Sequence, residues 1–156
     1  MLIDPYTVPA LPTTYANTPF KSKLEAQTAL FFDLLRLEWQ YEPVTFDLGY
    51  IRDEHIIYKP DFFLSGLNRW IEVKGPRPYE LAILKADLLA RRTLKLVQIW
   101  SGSMGCQTIY NYVKSGNNRV TTWQERSLDR MLVDKAKIKS DEQLARLLWL
   151  VVHHKF

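Results

Sequence analysis

Leu24, Thr28, Phe31 and Leu35 recur at helical spacing just downstream of Pro19, which predicts a helix over about 22–37 with one strongly apolar stripe. Residues 39–48 and 56–64 are then rich in aromatic and β-branched side chains, with Gly49 and Asp53 as turn residues between them. Residues 69–75 follow after Ser65-Gly66-Leu67-Asn68, and the three segments read as an antiparallel meander. Helical period returns at Leu81, Leu84 and Leu88 within 79–92, and 94–100 is a short apolar strand closed by Ser101-Gly102. The Gly- and Asn-containing stretch around 106–113 has no assignable period. Thr122-x-x-Glu125 has the form of a capping box and predicts a further helix. Ser140-Asp141-Glu142 opens a last one, with Leu144, Leu147, Leu148 and Val151 on one side. Residues 1–20 hold Pro5, Pro9, Pro12 and Pro19 and almost no charge, so they read as an extended arm that wraps its own domain or reaches a partner.

A length of 156 residues with 47% hydrophobic and 24% charged side chains suits one compact core. Residues 1–156 are therefore expected to form a single domain, with the arm at 1–20, a core at 21–100 and further elements at 101–156. No apolar run approaches the roughly 20 residues that cross a bilayer, and the N-terminus lacks a signal-peptide pattern, so no membrane partner is expected. The single cysteine, Cys106, excludes an internal disulfide and structural zinc, and fits a reducing, cytoplasmic setting.

Charge is uneven. Residues 1–20 carry only Asp4, and 21–61 hold five Lys/Arg against eight Asp/Glu. Residues 62–140 hold fourteen Lys/Arg against six Asp/Glu, a net +8 that suits a polyanion such as nucleic acid as well as it suits a solvated lysine-rich surface.

The acidic residues gathered upstream need a separate explanation, and the last of them, Asp61, opens a hairpin. If Gly66-Leu67 is a two-residue loop, Ser65 pairs with Asn68 and Asp61 stands directly across from Glu72. A loop shifted to Leu67-Asn68 sets Asp61 against Lys74 instead, yet parity is unchanged and all three polar groups still share a face. Phe62, Leu64, Ile71 and Val73 collect on the other face as the set to be buried. Opposed β-carbons lie about 5 Å apart, so Asp61 and Glu72 repel unless one protonates or a cation lies between them. Magnesium or manganese answers that need, because both take carboxylate oxygens, carbonyls and water. Lys74 on the same face can hold an attacking water or steady a developing oxyanion. A surface salt-bridge ladder is the plain alternative. Phe63 and Trp70 on that face, and Glu25 at the margin of the first helix's apolar stripe, argue against full solvation.

Pro60-Asp61 followed by Glu72-Val73-Lys74, after a helix bearing Glu25 within Phe20-Lys21-Ser22-Lys23-Leu24-Glu25-Ala26, resembles the PD-(D/E)XK nuclease superfamily, the restriction-endonuclease-like fold. The likeness is strongest to small single-domain members encoded by bacteriophages. It spans residues 20–100, including Trp39-Gln40-Tyr41-Glu42-Pro43 and the Lys74-Gly75-Pro76-Arg77-Pro78 exit. The resemblance implies an α/β (α+β) core: a helix, a three-strand antiparallel meander, a helix and a fourth strand, here with extra C-terminal helices. It implies that Asp61, Glu72 and the Val73 carbonyl bind Mg2+, with Mn2+ able to substitute. Lys74 is then the catalytic lysine, and Glu25 the acid that holds a metal-bound water or a second ion. Gln98 on the fourth strand is a candidate to point into the site.

The function implied is a Mg2+-dependent DNA endonuclease that cuts duplex or branched DNA by attack of a metal-activated water, as junction-resolving or homing-type enzymes do, in a bacterial or phage-infected cytoplasm. A non-cleaving DNA-binding or packaging accessory that keeps the fold, and an RNA nuclease, are the alternatives. Lys21 and Lys23, Arg77, and the cluster Arg91, Arg92 and Lys95 are candidate phosphate contacts. His55, His153 and His154 read as surface residues, and Trp39, Trp100 and Trp149 as core. Cutting two strands or two arms calls for two active sites, so a homodimer or higher homo-oligomer is expected, with the arm or the last helix in its interface.

Overall fold

The computed structural model describes residues 10–76, 78, 80–117, 119–125 and 138–156. Its first element is a hairpin, β1 (Thr13–Tyr15) and β2 (Thr18–Phe20), turned by Ala16 and Asn17 at φ 49° and 60°. Two successive left-handed residues give the turn that matches strand twist. Helix α1 (Lys23–Leu34) starts where Ser22 accepts the Glu25 backbone N–H at 3.1 Å. Strands β3 (Trp39–Tyr41), β4 (Phe46–Ile51), β5 (Glu54–Tyr58) and β6 (Phe62–Leu64) follow, then a single 3-10 turn (Ser65–Leu67) and β7 (Arg69–Lys74). After α2 (Glu80–Thr93) come β8 (Leu96–Ser101), β9 (Thr108–Ser115), β10 (Arg119–Glu125) and α3 (Asp141–Val152), the last capped by Ser140.

The main sheet has six strands in the order β10-β9-β8-β7-β6-β3. Every neighbouring pair is antiparallel except β7 and β8, which run parallel because α2 returns the chain between them. On one face α1 buries Ala26, Ala29, Phe31 and Phe32 against Phe62, Leu64, Ile71, Val73 and Trp100, joined by Val151 of α3. On the other, α2 lays Ala82, Ala86, Leu89 and Ala90 on Trp70, Val97 and Ile99. Alanines spaced four apart make that side of the helix thin and let it sit close to the sheet.

The fold is thus mixed α/β, with the expected helix, antiparallel strands, helix and returning strand. The meander is realised by β3, β6 and β7, but the chain leaves the sheet between β3 and β6 to build β4 and β5 as a separate two-stranded hairpin. Residues 13–20 are not a plain extended arm; they form the β1–β2 hairpin, while 1–9 lie outside the described residues. Thr122 and Glu125 open no helix, because both lie in β10, paired with Tyr112 and Ile109 of β9. The unassigned stretch around 106–113 contains most of β9. Among the described residues the C-terminal region therefore contributes two strands and one helix rather than several helices. Trp149 is 60% exposed instead of buried. No helix of the described residues is long and apolar enough to cross a membrane.

Candidate active site

The β6–β7 register is Phe62↔Ile71, Phe63↔Trp70 and Leu64↔Arg69, so one further step sets Asp61 across from Glu72. That is the first of the two registers considered, although the strands end at Leu64 and Arg69. Asn68, at φ 51°, closes the turn by donating its N–H to the Ser65 carbonyl. On the far side of β6, Glu42 donates its backbone N–H to the Asp61 carbonyl at 2.8 Å. Glu42, Asp61 and Glu72 consequently form one row across β3, β6 and β7, at the end of the sheet where β7 and β8 terminate.

Asp61 and Glu72 are 7% and 6% exposed. Burial, then the charges of Glu72 and Glu25, drive the Asp61 carboxyl well above the usual carboxylate range, against the opposing pull of Lys74 and the Val73 N–H. That N–H reaches Asp61 Oδ2 at 2.7 Å. Lys74 Nζ pairs with Glu72 Oε1 at 2.7 Å, and the Tyr58 hydroxyl donates to Glu72 Oε2 at 2.8 Å. The Trp70 ring on the same face is covered by Phe46 and Phe63, so the face is enclosed, as its aromatic residues required.

Glu25 arrives from the first turn of α1 and is buried. It accepts the Ser22 hydroxyl at 3.0 Å, the Lys21 backbone N–H at 3.2 Å and the Tyr41 hydroxyl at 2.6 Å. Burial and Glu25 together raise the Tyr41 phenol far above its ordinary value. Glu25 therefore ties down the entry to its own helix, and its charge also reaches Asp61.

Gln98 is not brought to the site. It shares the α1 face of β8 with Trp100, is fully buried, donates to Asn111 Oδ1 at 2.8 Å and accepts the Trp100 indole N–H at 3.3 Å. Arg91, Arg92 and Lys95 also lie elsewhere, at the end of α2 and the start of β8 where Arg69 pairs with Leu96. That is about 10 Å from Glu72 at roughly 3.3 Å per strand residue. Arg91 is held by Asp87 at 2.7 Å and Lys95 sits over the Phe63 ring. Lys23 is exposed at the start of α1. Lys21, by contrast, stands at the site and forms an ion pair with Glu42, which Lys59 also approaches at 3.8 Å. Arg77 lies outside the described residues.

Sequence reasoning missed Tyr41, Glu42 and Tyr58, which bond Glu25, Lys21 and Glu72. The two tyrosines come from β3 and from the separate β4–β5 hairpin, and phenols carry no motif of their own.

The donor set fits a hard divalent ion. Two buried carboxylates facing each other beside the Val73 backbone, with Lys74 on Glu72, supply what magnesium takes from a protein, one or two carboxylates and otherwise water or substrate oxygens. Among the described residues no three His, Cys, Asp or Glu side chains stand together as a ready cage, so a carbonyl and water would complete the shell. Comparison of the chain with family models, with curated proteins and with solved structures finds no match.

Proposed function

We propose that this chain is a divalent-metal-dependent endonuclease built on a restriction-endonuclease-like core. The observation that carries the reading is Asp61, buried across from Glu72 and in the field of Glu25 with its carboxyl forced toward protonation, next to a lysine paired with Glu72. A stable fold gains nothing from such a group, whereas a site for Mg2+ or Mn2+ needs it. Asp61 and Glu72 would hold the ion with the Val73 carbonyl, and Glu25 would orient a bound water. When bound, the ion supplies a water of lowered pKa and neutralises charge on a phosphate. Lys74, whose side chain is 25% exposed, donates from Nζ to the attacking water or to the phosphoryl oxygen on which charge develops. Tyr58 keeps Glu72 turned toward the site.

The substrate proposed is duplex or branched DNA, met in the cytoplasm by a second copy of the same chain. The basic surplus of residues 62–140 supports a polyanionic partner. Incubation with supercoiled plasmid, linear duplex, four-way junction, single-stranded DNA and RNA, each with Mg2+, Mn2+ or EDTA, tests the reading. Cleavage that stops with chelator supports it. Cleavage of RNA alone would replace the substrate, and binding without any cleavage would favour a DNA-binding accessory.

A further inference from the structure

We infer that Lys85 of α2 is a second phosphate-contacting cation of this site, taking a non-bridging oxygen of the phosphodiester backbone; the inference rests on the nuclease reading above. Lys85 is half-buried, and its Nζ lies 5.6 Å from the centroid of the Tyr58 ring. The Tyr58 hydroxyl is bonded to Glu72, so the ring places the ammonium beside the catalytic carboxylates. Lys85 also lies within the fields of Glu72, Lys74 and Glu54.

The bonds to Glu72 come from Lys74 on Oε1 and from Tyr58 on Oε2 rather than from Lys85. Among the described residues, Nζ contacts a ring face and no oxygen acceptor. A lysine has three N–H donors and normally keeps its head in water. Burial disfavours the charged amine here, so the ammonium is held where its own fold compensates it poorly. An incoming anion supplies both missing elements, an oxygen acceptor and a counter-charge. Phosphodiester oxygens are the anions the neighbouring groups are suited to. Lys74 then serves the reacting phosphate and Lys85 the strand's placement on the α2 side of the row.

The test uses the full chain with duplex and four-way junction DNA in Ca2+, which keeps the substrate uncut, followed by cleavage in Mg2+. Lys85→Met keeps the stem over Tyr58 and removes the charge, while Lys85→Arg keeps the charge; thermal unfolding verifies that both fold. The expected result is weaker binding by Lys85→Met, a salt dependence of log affinity shallower by about 0.9, and cleavage reduced about tenfold or more, with Lys85→Arg largely restored. A merely structural lysine would leave the salt slope unchanged. Wild-type protein that cuts, with an unchanged slope in Lys85→Met, overturns the role of Lys85 alone. Wild-type protein that neither binds nor cuts any nucleic acid overturns this inference and the nuclease reading together.

Discussion

The Tyr58 hydroxyl donates to Glu72 Oε2 at 2.8 Å while Lys74 occupies Oε1, so both oxygens of one buried carboxylate are oriented before any ion arrives. Outer partners of this kind typically contribute about 10–100-fold in metal affinity or activity. Tyr58→Phe removes the bond and keeps the ring, and should raise the Mn2+ concentration for half-maximal cleavage by that factor while reducing stability by about 1 kcal/mol. Metal titration followed by cleavage rate measures it; an unchanged Mn2+ requirement would mean that the phenol only packs.

Asp61 makes stability depend on pH in a definite direction. Its folded pKa is raised above the unfolded value, so its favourable contribution is complete below the ordinary carboxylate range near 4 and is lost as pH rises through the folded value. In chelator, Asp61→Asn should therefore be more stable than wild type at pH 8, with the gap closing toward pH 4. Each 1 kcal/mol relieved raises Tm by roughly 2–4 °C at this size. The same variant should lose cleavage by about 10³-fold or more. Thermal unfolding at several pH values decides; a variant less stable than wild type at pH 8 would mark Asp61 as a structural salt-bridge partner.

Gln98 and Asn111 behave as a buried pair of the core rather than as part of the site. Gln98→Leu should destabilise the fold by about 1–3 kcal/mol, because Asn111 loses its donor in a dry environment. Once folded, the variant should cut at the wild-type rate. A large loss of kcat with little loss of Tm would return Gln98 to the chemistry.

Lys21 and Arg91 separate the basic residues by position. Lys21 stands beside Glu42 and in the field of Asp61, whereas Arg91 is held by Asp87 at the other end of α2. Lys21→Ala should make the salt dependence of DNA binding shallower by about 0.9, and Arg91→Ala should leave it nearly unchanged. Equal effects of the two would show a DNA path spanning both ends of the sheet.

The hairpin was legible because side-chain alternation and turn spacing fix which residues face one another, so the Asp61–Glu72 opposition and the burial of Phe62, Leu64, Ile71 and Val73 follow from residue order. Glu25 was legible as a margin residue of an apolar stripe. Its hold on the helix entry lay unread in Ser22-x-x-Glu25, while Thr122-x-x-Glu125 was read as a cap although β-branched and aromatic neighbours, Val120, Thr121 and Trp123, favour the strand β10. Gln98 was misplaced because strand parity alone does not tell which face of a sheet covered on both sides holds the chemistry. Tyr58 and Lys85 escaped for a related reason: they come from β5 and α2, and only tertiary packing brings them to Glu72.

Helix α3 bears the last prediction. Leu144, Leu147, Leu148 and Val151 pack onto the core as its sequence pattern required, which leaves Trp149, Leu150 and Val152 outward at 60%, 49% and 42% exposure. Trp149 and Val152 are three apart and so lie on one side of the helix, and Trp149 is stacked on His153 at 4.4 Å. A single active site cuts one strand per encounter, and a twofold pair of copies joined through this face would present two. Light scattering at micromolar concentration should therefore give at least a dimer, and Trp149→Glu a monomer whose Tm is nearly unchanged, since the side chain contributes little to its own core. The variant should nick supercoiled plasmid while linearising it much more slowly than wild type. A wild-type chain that is monomeric and linearises plasmid in one encounter would remove the need for assembly, and a dimer that survives Trp149→Glu would move the interface away from α3.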